Sequence, residues 1–144
     1  MARRHRKGRT RKAHSFIFSR RSLPGSAPGT LIVDPNAPKP VIRLMAFGPD
    51  RVVEKSIEDV QAIRPYIGQW PVTWIHVAGL GDLSVITQLG EIFNLHRLAL
   101  EDVLNAHQRP KVEQYRDYVY IVVRVVKDAE KYTSEQVSIF LGKN

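Results

Sequence analysis

The chain has 144 residues, enough for one domain, and its 43% hydrophobic and 25% charged residues are the balance of a globular protein with a single core. Its net charge of +8 is uneven: residues 1–30 carry nine Lys/Arg and no acid, while residues 31–144 carry the other thirteen basic groups and all fourteen acidic ones, a tail of +9 on a domain of −1. The absence of cysteine excludes a disulfide framework, cysteine-ligated zinc and thiol catalysis.

Residues 1–14 form a basic, low-complexity run expected to self-repel and stay disordered. The Pro- and Gly-bearing stretch from Ser19 to Pro40 reads as linker or extended surface chain. Phe16-Ile17-Phe18 is too short for the apolar region of a secretory signal. A basic tail and linker over 1–27 therefore precede a domain over 28–144. Leu31-Ile32-Val33 is expected to be a short first strand. Val41–Phe47 is a second, turned by Gly48-Pro49-Asp50 into a partner strand over Arg51–Lys55.

Ser56 is expected to cap a helix, with Asp59 three residues on as a loose capping box; Ile57, Val60, Ile63 and Ile67 would form one face, and Pro65 would distort the last turn. Val72–Ala78 alternates Val72, Trp74, His76 and Ala78 with Thr73, Ile75 and Val77. Both faces are largely apolar, which predicts a central strand covered by helices. Asp82 caps a helix whose buried stripe is Leu83, Ile86, Leu89, Gly90 and Phe93. A further helix runs from about Arg97 to Ala106, with Leu100, Val103 and Leu104 inward. Asp117–Val126 and Ser134–Leu141 are the last strands, close enough in sequence for an antiparallel hairpin. The order predicts an α/β fold with a mixed sheet and helices packed on it. Gly142-Lys143-Asn144 has the composition of a tight turn, which suggests truncation inside a further hairpin. The longest apolar run, Tyr118–Val126, is interrupted by Arg124 and falls short of the ~20 residues a helical membrane span needs.

The most polar segment of the ordered half is Leu100-Glu101-Asp102-Val103-Leu104-Asn105-Ala106-His107-Gln108-Arg109-Pro110-Lys111. Helical spacing turns Glu101, Asp102 and Asn105 away from the core. Adjacent carboxylates on such a face suit a hard cation such as Mg²⁺, which keeps several waters and needs only one or two protein oxygens. The bland alternative is a solvated helix face with Glu101 paired to Arg109 or Lys111. His76, His96 and His107 show no HxxxH or HxH spacing and read as hydrogen-bonding residues rather than metal ligands. No GxSxG, GxGxxG or GxxxxGK[ST] is present, and Gly79-Leu80-Gly81-Asp82 reads as a tight turn into a helix rather than a phosphate loop. No catalytic constellation stands out. The tail could bind phosphate backbones, an anionic membrane leaflet or a targeting receptor. Its few aromatics argue against a dedicated nucleic-acid platform. A soluble, basic-tailed module for nucleic acid or anionic surfaces is thus the alternative function.

Trp74-Ile75-His76-Val77, Leu89-Gly90-Glu91-Ile92-Phe93-Asn94-Leu95-His96, Leu100-Glu101-Asp102-Val103-Leu104-Asn105 and His107-Gln108-Arg109-Pro110-Lys111-Val112-Glu113 together resemble the N-terminal cytoplasmic domain of CorA-type magnesium transporters. Tyr118–Val126, Ser134-Glu135-Gln136-Val137-Ser138 and Pro28-Gly29-Thr30 extend the resemblance over residues 28–144, closest over 72–141. It implies a mixed sheet sandwiched between helices, forming the wall of a homopentameric funnel on the cytoplasmic side of the membrane. It also implies a later long helix and two membrane helices with a Gly-Met-Asn pore motif. Met1 and Met45 are the only methionines and neither lies in that motif. The resemblance makes Asp102 a metal ligand, with Glu101 beside it contributing to a second, nearby site and the partner acids beyond Asn144. The ion implied is Mg²⁺, with Co²⁺ or another divalent cation as the alternative. The role implied is cytosolic sensing and gating of divalent-cation transport, not catalysis. His96-Arg97 replaces a common His-Pro before the LED helix, which bears on where that helix starts.

Overall fold

The structure, a computed structural model, describes residue 25 and residues 27–128 and 133–144. The basic run 1–14, the start of the expected linker through residue 24 with residue 26, and residues 129–132 lie outside the described residues. The elements are β1 (Val41–Phe47), β2 (Val52–Ile57), a 3₁₀ helix (Val60–Tyr66), β3 (Val72–Ala78), α1 (Leu83–Ile92), α2 (Arg97–Leu104), β4 (Lys111–Gln114), β5 (Val119–Asp128) and β6 (Thr133–Leu141). They form two antiparallel three-stranded sheets, ordered β2-β1-β3 and β4-β5-β6. The α/β class holds, but the expected single mixed sheet is two sheets in this chain.

In the first sheet, Ile42, Leu44 and Ala46 of β1 point inward by the period of two, while Val41 and Met45 point to solvent. The 3₁₀ helix, through Val60 and Ile63, and α1, through Leu89, cover the same inner face. The described helices therefore lie on one side of this sheet and do not sandwich it. β1, paired to both β2 and β3, is the central strand. β3 is an edge, correcting the central position expected for it: Ile75 and Val77 pack on the core while Trp74, at 58% exposed, His76 and Ala78 face out.

Three local expectations change for identifiable reasons. Leu31–Val33 is extended but joins no ladder, because Leu31 and Val33 fill the crevice between α1 and α2. Ser56 does not start a helix; it pairs with Arg43 in the β1–β2 ladder, which runs on through Ile57. The helical turns begin after Asp59, whose carboxylate accepts the Gln61 N–H at 3.0 Å. They are 3₁₀ rather than α, and Pro65, which has no N–H, lies among them.

α1 starts as expected, with the Asp82 carboxylate accepting N–H groups from Ser84 and Val85. Its buried residues are Ile86, Leu89 and Gly90; Leu83 is largely exposed and Phe93 is the C-cap residue, partly buried against the core. α2 buries Ala99 against Tyr118, Tyr120 and Val122 of the second sheet, and Leu100 and Leu104 against Ile86 of α1. It ends at Leu104, two residues before the expected end, and Asn105 caps it. β5 and β6 form the expected antiparallel hairpin in register from Val119↔Leu141 to Val126↔Ser134. β4 was not foreseen. Gly79–Asp82 leads from β3 into α1, and the Gly81 N–H donates to the Pro38 carbonyl at 2.8 Å, so residues 37–39 fill the hollow a phosphate would need.

Candidate metal centre

α2 is placed from its first turn. The His96 ring nitrogen Nδ1 accepts the Leu98 N–H at 3.3 Å, so histidine serves as the N-cap residue and the helix begins at Arg97 without a proline. The His96 backbone N–H donates to the Tyr118 hydroxyl at 2.9 Å, and Tyr118 stacks on Tyr115 with ring centroids 4.8 Å apart. With Ala99 on one sheet and Leu100 and Leu104 on α1, the 3.6-residue period leaves Glu101 and Asp102 for the remaining face. Both are half-buried rather than solvated.

The two carboxylates have different partners. Glu101 Oε2 accepts the Gly29 backbone N–H at 2.7 Å, which ties the chain at Gly29 to α2. Asp102 Oδ2 accepts from Lys111 Nζ at 2.5 Å, and the same ammonium donates to Glu113 Oε1 at 2.7 Å. The bland sequence reading paired Glu101 with Arg109 or Lys111; the lysine instead goes to Asp102, because β4 runs beside that edge of α2. Gln136 of β6 completes the frame, donating to the Asp102 carbonyl at 3.1 Å and accepting the Gln108 N–H at 2.9 Å.

β4 supplies the other charged groups of this cluster. Its alternation is inverted: Lys111 and Glu113 are half-buried toward α2, while Val112 is 70% exposed. The available signal was the i, i+2 spacing of Lys111 and Glu113, which in a strand places both on one face. An open cleft of about 580 Å³ is lined by Leu98, Glu101, Asp102, Glu113, Gln114 and Tyr115. Burial disfavours the Lys111 ammonium, but hydrogen bonds and charges from Asp102 and Glu113 outweigh it and hold the pKa above the ordinary lysine range. Burial, with the charge of Glu113 nearby, raises the Tyr115 phenol. Burial pushes the Tyr120 phenol up to about 12. Neither tyrosine ionises near neutral pH.

The donors here are carboxylate oxygens, a hard set that suits Mg²⁺ better than zinc. Among the described residues no three His, Cys, Asp or Glu side chains converge as a metal site. Glu101 and Asp102 thus share a cleft but do not complete a coordination sphere. The histidines are not brought to it as ligands: His76 lies exposed on β3, His96 caps α2, and His107 follows the helix in a turn with its N–H on the Asn105 carbonyl.

An α/β domain whose LED helix presents two carboxylates to an open cleft is the class the fold and site define. The family model for the CorA-like Mg²⁺ transporter protein matches residues 71–144, half of the chain, and the chain belongs to that family. It is 37% identical over 124 residues to the cobalt/magnesium transport protein CorA of Thermotoga maritima, covering 83% of this chain and 35% of that protein. It is 28% identical over 103 residues to the YfjQ protein of Bacillus subtilis, covering 72% and 31%. The chain thus spans about a third of the length of the curated relatives it matches. No described helix is long and apolar enough to cross a membrane.

Proposed function

We propose that residues 28–144 belong to the cytosolic sensing and gating domain of a CorA-type magnesium/cobalt ion transporter, acting in a homopentamer, with the basic residues of 1–27 lying against the anionic cytoplasmic leaflet. The observation that carries this reading is the placement of the LED carboxylates. Asp102 and Glu101 line one open cleft within the segment matched to the family, Asp102 paired with Lys111 and Glu101 held by the Gly29 N–H. Mg²⁺ is the favoured cation and Co²⁺ the alternative; either would take Asp102 first and Glu101 through a neighbouring position. Acids from another subunit would supply the remaining oxygens. A bound divalent cation neutralises facing carboxylates and holds subunits together, which closes the assembly. When it leaves, like charges repel and the open state gains population.

In the full-length protein, Asp102→Ala is expected to raise the Mg²⁺ concentration that protects the assembly from limited proteolysis by about tenfold, a coupling of ordinary allosteric size. An unchanged midpoint would remove Asp102 from the site.

The same reading accounts for two open sheet edges. The Asn144 side-chain amide donates to the Trp70 carbonyl at 3.4 Å, so the end of β6 lies beside the entry to β3. A strand returning from Gly142-Lys143-Asn144 would pair antiparallel with β6 and parallel with β3. It would join the two sheets into one mixed sheet of order β2-β1-β3-new-β6-β5-β4. Hydrogen exchange tests this: outward amides of β3 and β6 should exchange at least tenfold more slowly in the full-length protein than in the 144-residue chain. Equal rates would refute the joined sheet.

A further inference from the structure

We propose that Lys111 is a built-in counter-cation of this centre: its ammonium occupies the Asp102 carboxylate when no divalent cation is bound, and a divalent cation must displace it. The proposal rests on the reading of Asp102 as a metal ligand and adds how that ligand is regulated.

The geometry is that of a shared, movable cation. Lys111 Nζ touches Asp102 Oδ2 and Glu113 Oε1 at once and sits 5.6 Å from the centre of the Tyr120 ring. The Lys111 and Asp102 side chains are 26% and 24% exposed, so solvent and salt screen the pair weakly. The Lys127–Glu135 pair, at 69% and 56% exposed and 3.5 Å, is the contrasting surface case and contributes little.

Lysine is a compact charge on a flexible four-carbon stem, which can leave one carboxylate without moving the backbone. Glu113 gives it somewhere to go. The two share one face of β4 two residues apart, so Lys111 can release Asp102 and keep one carboxylate and the aromatic face. Asp102 meanwhile stays in place, because Gln136 holds its carbonyl and α2 is packed on two sides. The arrangement sets a threshold. A divalent ion entering the cleft must compete with a resident positive charge, which raises the concentration at which it wins.

The test uses Mn²⁺ as the probe, with free ion counted by its paramagnetic resonance signal, on the full-length protein as wild type, Lys111→Met, Lys111→Arg and Asp102→Asn. Lys111→Met keeps the apolar stem and removes the charge. It should tighten Mn²⁺ binding at least tenfold, while Lys111→Arg leaves binding equal or weaker. Asp102→Asn should abolish the gain when combined with Lys111→Met. Lys111→Gln replaces Lys111→Met if the latter fails to fold by circular dichroism. In wild type, saturating Mg²⁺ should shift the ¹⁵N resonance of the Lys111 ammonium as its bond to Asp102 breaks. If Lys111→Met or Lys111→Gln binds no tighter, or the ammonium resonance does not move, the counter-cation proposal fails while the Asp102 reading stands. If Asp102→Asn leaves binding intact, the Asp102 reading fails and takes the proposal with it.

Discussion

Gly79→Ala should cost about 3 kcal/mol or more, a large part of the ~5–15 kcal/mol that holds a domain of this size together. Gly79 has φ +99°, a left-handed conformation that costs an ordinary L residue roughly 1–2 kcal/mol. An added Cβ would also lie 2.6 Å from the Lys39 carbonyl oxygen and 2.7 Å from that of Pro38. These are backbone atoms and cannot swing aside, so overpacking adds roughly 1–3 kcal/mol. Gly81→Ala should behave similarly on sterics alone, because its Cβ would collide with the Ala37 carbonyl and sit 2.7 Å from that of Pro38. Gly142→Ala is the control, with nothing within 4 Å of the new methyl. Urea denaturation followed by circular dichroism reads all three. A Gly79→Ala midpoint equal to wild type would mean that residues 37–39 do not pack against the turn.

Leu44→Ala is the second large effect, expected at roughly 2–5 kcal/mol from the cavity it leaves. Leu44 is 0% exposed on the central strand and lies in the cluster that joins the sheet, the 3₁₀ helix and α1. Trp74→Ala, removing a much larger side chain from the outer face of β3, should change the stability of the 144-residue chain by no more than about 0.5 kcal/mol, as an exposed site does. The same urea experiment compares them. A Trp74→Ala loss as large as that of Leu44→Ala would mean that the outer face of β3 is covered rather than exposed.

That comparison marks where sequence patterning ended. β1, β2, β3, α1, α2 and the β5–β6 hairpin were legible because each carries a local signal: a period of two, a period near 3.6, a capping aspartate or a turn. The rank of β3 within its sheet was not, because an apolar outer face looks the same whether a helix, a further strand or solvent lies over it. Leu31–Val33 failed for the related reason that an apolar triplet packs equally well into a helix crevice as onto a sheet. The spacing reads Ser56 as the cap and Asp59 only as its partner, but Ser56 pairs with Arg43 in the ladder and Asp59 is the cap.

The candidate site divides in the same way. Glu101 and Asp102 stood out as adjacent acids on the polar side of a helix, and the LEDVLN string tied them to a family. Their partners could not be read. Lys111 and Glu113 come from a four-residue strand whose buried face is the charged one, Gly29 is 72 residues from Glu101, and Gln136 is 34 from Asp102.

Residues 1–30 hold the surplus positive charge and residues 31–144 are nearly neutral, and spacing along the chain was enough to assign most elements, the Asp82 cap and the two acids. These are properties of neighbours within a few residues, where backbone geometry sets which side chains share a face. Which strand lies inside, what fills the hollow beside Gly79 and Gly81, and which cation rests on Asp102 depended on contacts between distant segments. Such contacts are chosen by competition for buried surface and for charge, and only the packed chain shows which one won.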